Sequence, residues 1–383
     1  MRSEFITKPL STLADIQTGP FGSQLHKEDY VQNGTPIVTV EHLGKRKFTK
    51  QNLPCVSDKD KKRLSKYILH EGDIVFSRVG SVDRCSYVSR EYNGWMFSGR
   101  CLRVRPFAEI EPQYLYYYFT LESTKQFVRG IATGATMPSI NTKFMGEVPI
   151  AYPSIDVQRK ITGLLNTLND KIELNDAINK NLYEQMLAIF DNAKRTSSWH
   201  AHKLGDVLTF FDNLRKPLSS IQRAKMTHIY PYYGATSIVD YVEDYLFDGT
   251  YILISEDGAN VVDASGHPLT QYTYGKFWVN NHAHIVKGTS SYSNALIYAI
   301  LGTLNMQSIV TGAAQPKINQ ANLRNFETAL PENEEAQTLS SVLNPMFKQM
   351  IHHDQENEKL SALRDTLLPQ LMSGELDVSD IDL

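Results

Sequence analysis

Glu256, Asp257, His282 and His284 are the side chains here that could hold a metal ion. The two histidines stand two residues apart in Trp278-Val-Asn-Asn-His-Ala-His284. On a strand, that spacing puts both rings on one face. With the two carboxylates they would offer the donor types of a transition-metal site, and a metal-dependent enzyme is one reading. The competing reading is a hydrogen-bonded structural pair, because only the second half of the chain has the histidines and spacing alone does not establish ligand geometry. Other catalytic patterns are missing from the sequence. It has no GxxxxGK[ST] phosphate loop, no NPPY- or DPPY-like tetrapeptide and no adenosylmethionine-type glycine loop. Any ATPase or methyl-transfer chemistry would have to come from a partner.

The remaining chemistry is that of polyanion binding. Residues 1–150 hold 21 Lys+Arg against 15 Asp+Glu, with clusters at Lys45-Arg46-Lys47 and Lys61-Lys62-Arg63. Residues 331–383 hold 3 against 11. A basic first unit suits DNA phosphates, although charge runs are often only solvated faces. The whole chain carries a net charge of −3, so a partner would have to supply some of the positive charge for tight DNA binding. The three cysteines, Cys55, Cys85 and Cys101, form no CxxC pair and read as reduced thiols of a cytosolic protein. No apolar run reaches the roughly 18 residues of a membrane span, and the N-terminal stretch lacks the apolar core of a signal peptide. The expected location is the cytoplasm.

The elements that would carry these residues occur twice. Thr133-Gly-Ala-Thr-Met-Pro-Ser-Ile-Asn141 returns as Thr311-Gly-Ala-Ala-Gln-Pro-Lys-Ile-Asn319, with six of nine positions identical at an offset of 178. At the same offset Tyr114 meets Tyr292, Pro153 meets Pro331 and Leu182 meets Leu360. This is one long duplication rather than a short-period solenoid. Each half mixes short strands and helices. Buried strands are expected in 71–80 and 248–258, and helices over 112–128 and 293–309. The aromatic run from Tyr114 to Phe119 reads as core and interface, not as a stacking platform for bases.

Each half ends in a heptad seam. Ile161, Leu165, Leu168, Ile172, Asn175, Asn179, Leu182, Met186 and Ile189 alternate steps of four and three. Leu339, Leu343, Met346, Met350, His353, Asn357, Leu360, Arg364 and Leu367 repeat the register. Both seams are apolar at the ends and polar in the middle, so an antiparallel pair would align Asn175 and Asn179 with His353 and Asn357. The alternative is two separate amphipathic helices, each on its own domain. A kink is expected near Pro345. The first seam spans 28 residue steps, or roughly 42 Å of helix, which is close to one turn of B-DNA.

The fold class expected is therefore α/β (α+β): two tandem pseudo-symmetric domains joined by two long helices in an antiparallel coiled coil. The boundaries read as 1–153 for the first domain, 154–197 for the central spacer helix, 198–331 for the second domain and 332–383 for the C-terminal spacer helix.

The chain resembles the specificity subunits of type I restriction-modification systems. The residues that carry the resemblance are the loop from Gly19 to Ser23, Gly72-Asp-Ile-Val-Phe-Ser-Arg78, the two nonapeptides, Gly249-Thr-Tyr-Ile-Leu-Ile-Ser-Glu-Asp-Gly258, the His282–His284 stretch and the closing Leu371-Met-Ser-Gly374. The second half has Phe210-Phe-Asp-Asn-Leu-Arg-Lys216 where the first has its glycine loop. The resemblance implies a non-catalytic subunit whose two domains are target-recognition domains, each reading half of a bipartite, gapped duplex DNA target. It implies docking to two methyltransferase subunits for adenine methylation, and to two restriction subunits where cleavage occurs. S-adenosylmethionine, ATP and Mg would belong to those partners, with no cofactor on this chain. Candidate DNA contacts are Gln24, Lys45, Arg46, Arg78, Ser81, Arg84, Ser139 and Asn141 in the first unit. In the second they are Arg215, Lys216, Ser255, Gln315, Lys317 and Asn319. Arg favours guanine, Asn and Gln favour adenine, and Lys and Arg also position on phosphates. The alternative for Ser139/Asn141 and Lys317/Asn319 is capping of the turn before the last strand. A scaffold without DNA contact is the remaining rival.

Overall fold

The computed structural model describes residues 4–20, 22, 24–134, 136–312 and 314–378. Phe21 and Ser23 of the glycine loop, Ala135 and Ala313 of the nonapeptides, and residues 379–383 of the last spacer segment lie outside the described residues. The chain forms two compact units: residues 1–171 with 359–383, and residues 172–358. Each unit takes in part of both long helices.

In the first unit, four antiparallel strands pair in the order Ala14–Thr18, Cys101–Pro106, Ile74–Ser77, Cys85–Tyr87. Ile74–Ser77 is buried at every position. An apolar β-branched run in a central strand explains this. A second sheet holds Tyr30–Val31, Cys55–Val56, Thr35–Val38 and Met96–Phe97, the last two parallel. Ile6–Pro9 and Pro149–Tyr152 form a separate ribbon. The helix Pro112–Thr120 starts on a proline, which costs nothing where no helical donor is needed. It buries Tyr114, Leu115, Tyr116, Tyr117 and Phe119. The aromatic run is thus core.

The second unit repeats the plan. Leu208–Phe210, Ala283–Gly288, Tyr251–Ser255 and Thr270–Thr273 stand in the same order. Its second sheet again contains one parallel pair, Tyr230–Tyr233 with Lys276–Val279. Its ribbon is His200–Lys203 with Glu327–Leu330. The duplicated tyrosines do the same task. Tyr114 donates its hydroxyl to the Ala151 carbonyl at 2.9 Å, and Tyr292 donates to that of Pro331.

Two expected helices are shorter than the sequence suggests. The segment 112–128 breaks at Leu121, whose φ of −57° and ψ of 134° are extended, and resumes as Glu122–Ile131. The Thr120 hydroxyl donates to the Tyr117 carbonyl at 2.7 Å and helps close the first helix. In 293–309 the helix is Asn294–Thr303, and the chain then turns through Gln307–Ile309.

The long helices are Ile155–Thr196 and Asn333–Ser373. The second runs unbroken through Pro345 as a single helix. Within the second unit their polar layers meet in antiparallel register. Asn175 donates to Asn357 Oδ1 at 2.8 Å. Asn179 Oδ1 lies 2.7 Å from His353 Nδ1, and Asn179 donates to Asp354 at 2.8 Å. Within the first unit Arg364 donates to Asn169 at 2.9 Å, and Ile161 and Leu165 share a core with Leu368, Leu371 and Met372.

Candidate nucleic-acid interface

In both units the residues just past the central strand pair with the nonapeptide loop. In the first, the Arg78 carbonyl accepts from Ile140 N at 3.0 Å, and Gly80 N donates to the Pro138 carbonyl at 2.8 Å. In the second, the Glu256 carbonyl accepts from Ile318 N at 2.9 Å. Each loop is pinched shut by two backbone hydrogen bonds, Thr133 with Ser139 and Thr311 with Lys317. Gly134 (φ 101°) and Gly312 (φ 84°) make the pinch. A Cβ there would lie 2.6 Å from the Met137 carbonyl oxygen and 2.3 Å from that of Gln315. The glycines are required for this close approach and left-handed backbone. Asn141 and Asn319 cap the following helices, accepting from Phe144 N at 2.9 Å and Asn322 N at 2.7 Å. The repeated residues build the loop, and the tips that differ, Met137 and Gln315, are exposed.

The strand exit itself carries opposite charges. In the first unit Arg78 donates to the Gly99 carbonyl at 3.3 Å. Arg100, whose carbonyl accepts from Arg78 N at 2.8 Å, is exposed and sits 4.0 Å from the Met137 sulfur. A cavity of 520 Å³ opens beside it, lined by Pro20, Gly22, Leu25, Tyr30, Ser98 and Arg100. The sequence reading missed Arg100, which lies in no basic cluster. In the second unit Glu256 stands at the equivalent place. Arg215 meets it at 2.6 Å and Lys317 at 3.0 Å. His284, fully buried, places Nδ1 2.7 Å from Asp212 and Nε2 2.8 Å from the Ile318 carbonyl. Burial would raise the Glu256 carboxyl, but Arg215, His284 and Lys317 outweigh it and hold it below its ordinary value. Asp212 follows the same balance: burial raises it, while His284, Ile285 N–H and Arg215 bring it below the ordinary range.

This geometry answers the metal reading. Asp212, Glu256 and His284 bring ligand atoms within 4.8 Å of one another, but both ring nitrogens of His284 face oxygen acceptors. Arg215 and Lys317 already occupy Glu256, and a dication would have to displace them against like charge. The donor set does not fit a metal. The four residues expected from sequence also divide. His282 is exposed and pairs with Asp257 at 2.5 Å, while His284 is buried against Asp212, which the sequence reading missed.

The other candidates scatter. Lys45, Ser81, Arg84, Lys216 and Gln315 are exposed. Arg84 donates to the Leu43 carbonyl. Gln24 accepts from the Tyr67 hydroxyl at 2.7 Å. Arg46 binds Asp170 at 2.6 Å and so ties the loop to the long helix of its own unit. Ser255 is fully buried and its hydroxyl has no partner, which takes it off any surface that a duplex could touch. The thiols of Cys85 and Cys101 are pushed up to about 12 by burial, far from nucleophilic. No described helix is long and apolar enough to cross a membrane.

Comparison with known proteins agrees with the duplicated plan. Residues 3–184 and 196–362 each match the family described as Type I restriction modification DNA specificity domain. The MjaIX specificity subunit of Methanocaldococcus jannaschii is 22% identical over 98% of this chain and 94% of its own length. A putative specificity subunit of Haemophilus influenzae is 35% identical over 33% of this chain, so this match spans about a third (32%) of that relative. The crystal structure of the type I S subunit from M. genitalium shares the fold with a TM-score of 0.57 at 16% identity, covering 97% of this chain and 96% of that one. The chain therefore belongs to the type I restriction-modification specificity-subunit family, as a non-catalytic member with two tandem recognition domains.

Proposed function

We propose that this chain selects the DNA target of a type I restriction-modification complex. Each unit reads one half of a bipartite, gapped site, and the long helices dock two methyltransferase subunits for adenine methylation. Restriction subunits join where cleavage occurs. S-adenosylmethionine, ATP and Mg act on those partners, in the cytoplasm. The observation that carries the reading is a shared scaffold with unlike faces. One strand exit and one pinched loop recur in both units, yet the second unit has Glu256 where the first has Arg78, Lys317 where the first has Ser139, and Gln315 where the first has Met137. A reader of two unlike half-sites needs such a constant frame with variable side chains. Lys45, Arg84 and Lys216 are assigned to phosphates, Arg78 and Gln315 to bases. Methylation sequencing of DNA from cells carrying the methyltransferase subunit, with and without this chain, tests it. A new gapped adenine motif is expected. Its absence from cells that contain the assembled complex would remove the specificity role.

A further inference from the structure

The second unit holds a cavity of 360 Å³ that the DNA reading does not use. Tyr233, Tyr272, Tyr274 and Tyr298 line it, together with Asp354 and Glu358 of the second long helix. The carboxylates are held by neutral donors. Tyr272 donates its hydroxyl to Asp354 Oδ2, Asn179 donates to Asp354 Oδ1 at 2.8 Å, and Tyr274 donates to Glu358 Oε1 at 2.6 Å. Among the described residues neither acid has an ion pair with Lys, Arg or His. Elsewhere in the chain, buried carboxylates do: Asp73 has Arg105 at 2.7 Å, and Glu256 has Arg215 at 2.6 Å. At Asp354, which is half-buried, negative charge without a counter-ion is costly, and the exposed Glu358 adds a second negative charge beside it. Burial raises the Asp354 carboxyl, and the charges of Asp176 and Glu358 add to this against the Tyr272 and Asn179 hydrogen bonds.

The walls define what would relieve that charge. Aromatic faces beside carboxylates favour an organic cation over a hydrated metal ion. A guanidinium stacks on tyrosine rings and forks onto carboxylate oxygens, which suits it better than a compact ammonium. Gln271 also lines the cavity, and its buried Nε2 has no acceptor. The backbone carbonyl of a bound peptide could supply one. Within the second unit, residues 333–358 of the long helix that lines the cavity hold 1 Lys+Arg against 5 Asp+Glu, a charge that repels a nucleic acid and attracts a basic protein surface.

We propose that this cavity is a receptor for an arginine side chain of a partner protein. The proposal stands independently of the DNA-target reading. The test is saturation-transfer NMR on the full chain with N-acetyl-arginine methylamide as the probe and its uncharged citrulline analogue as control. The arginine probe should bind at millimolar concentration and the citrulline analogue about fivefold more weakly. Glu358→Gln, at an exposed position that should leave the fold intact, should lower the signal to a similar degree, and Asp354→Asn should lower it further. Equal signals from the two probes would overturn the proposal. So would an unchanged arginine signal in folded Glu358→Gln protein.

Discussion

At Glu256, charge balance decides what a side chain can do. Its carboxylate is nearly enclosed and meets Arg215 and Lys317. Glu256→Ala would leave both cations and His284 facing a void, so a loss of about 3–5 kcal/mol is expected in chemical denaturation. Asp212 and Glu256 are both held below their ordinary values in the folded chain. Their contribution is present above the unfolded carboxylate range and is lost as pH falls through the depressed folded values. Urea midpoints should therefore drop on acidification more steeply in the parent chain than in Asp212→Asn, and parallel profiles would refute this. Little of the knot was legible in the sequence. His284 and Glu256 stood out as chemistry-bearing residues, but Asp212 lies over 40 residues away and joins them only because the strands Leu208–Phe210 and Tyr251–Ser255 flank Ala283–Gly288. The exposed Arg78 neighbour, Arg100, was hidden for the same reason. In the assembled complex, Arg78→Ala should weaken DNA binding or relax one half of the target, read by competition binding with variant duplexes.

The nonapeptide and the heptad seam were the elements most legible from sequence, because both depend on local rules. The loop needs glycine at a left-handed position and asparagine at a cap. Gly312→Ala would place a Cβ 2.3 Å from the Gln315 carbonyl oxygen, and a loss of about 1–2 kcal/mol is expected, measured by thermal melting, with faster proteolysis at the loop. The polar layer of the helices was legible because its register is set by a period. Asn179 satisfies His353 and Asp354 together. Asn179→Ala should cost about 1–3 kcal/mol through the groups left unpaired. Adding His353→Leu should recover part of it, and a double-mutant cycle reads the coupling. What the period could not reveal was the break at Leu121, where tertiary packing of the two short helices overrides a continuous apolar pattern. The second sheets were illegible too. Strands as short as Cys55–Val56 carry no alternation to read.

For the whole molecule, the duplication is the organising fact, and charge is distributed unevenly over it. The first unit's globular residues are basic and the closing segment is acidic. DNA affinity of the assembled complex should fall steeply with salt. Lys45→Ala and Lys216→Ala should each reduce the slope of log affinity against log salt by about one without changing target choice. A slope unchanged in both would remove these residues from the phosphate contacts. The central claim is that each unit reads its own half of the target. The most direct measurement is the methylated motif of a chimera in which residues 14–131 come from a family member with a different target. The account predicts a gapped motif in which one half changes to the donor's and the other half and the spacing stay as in the parent. A motif in which both halves change, or in which neither does, would contradict it.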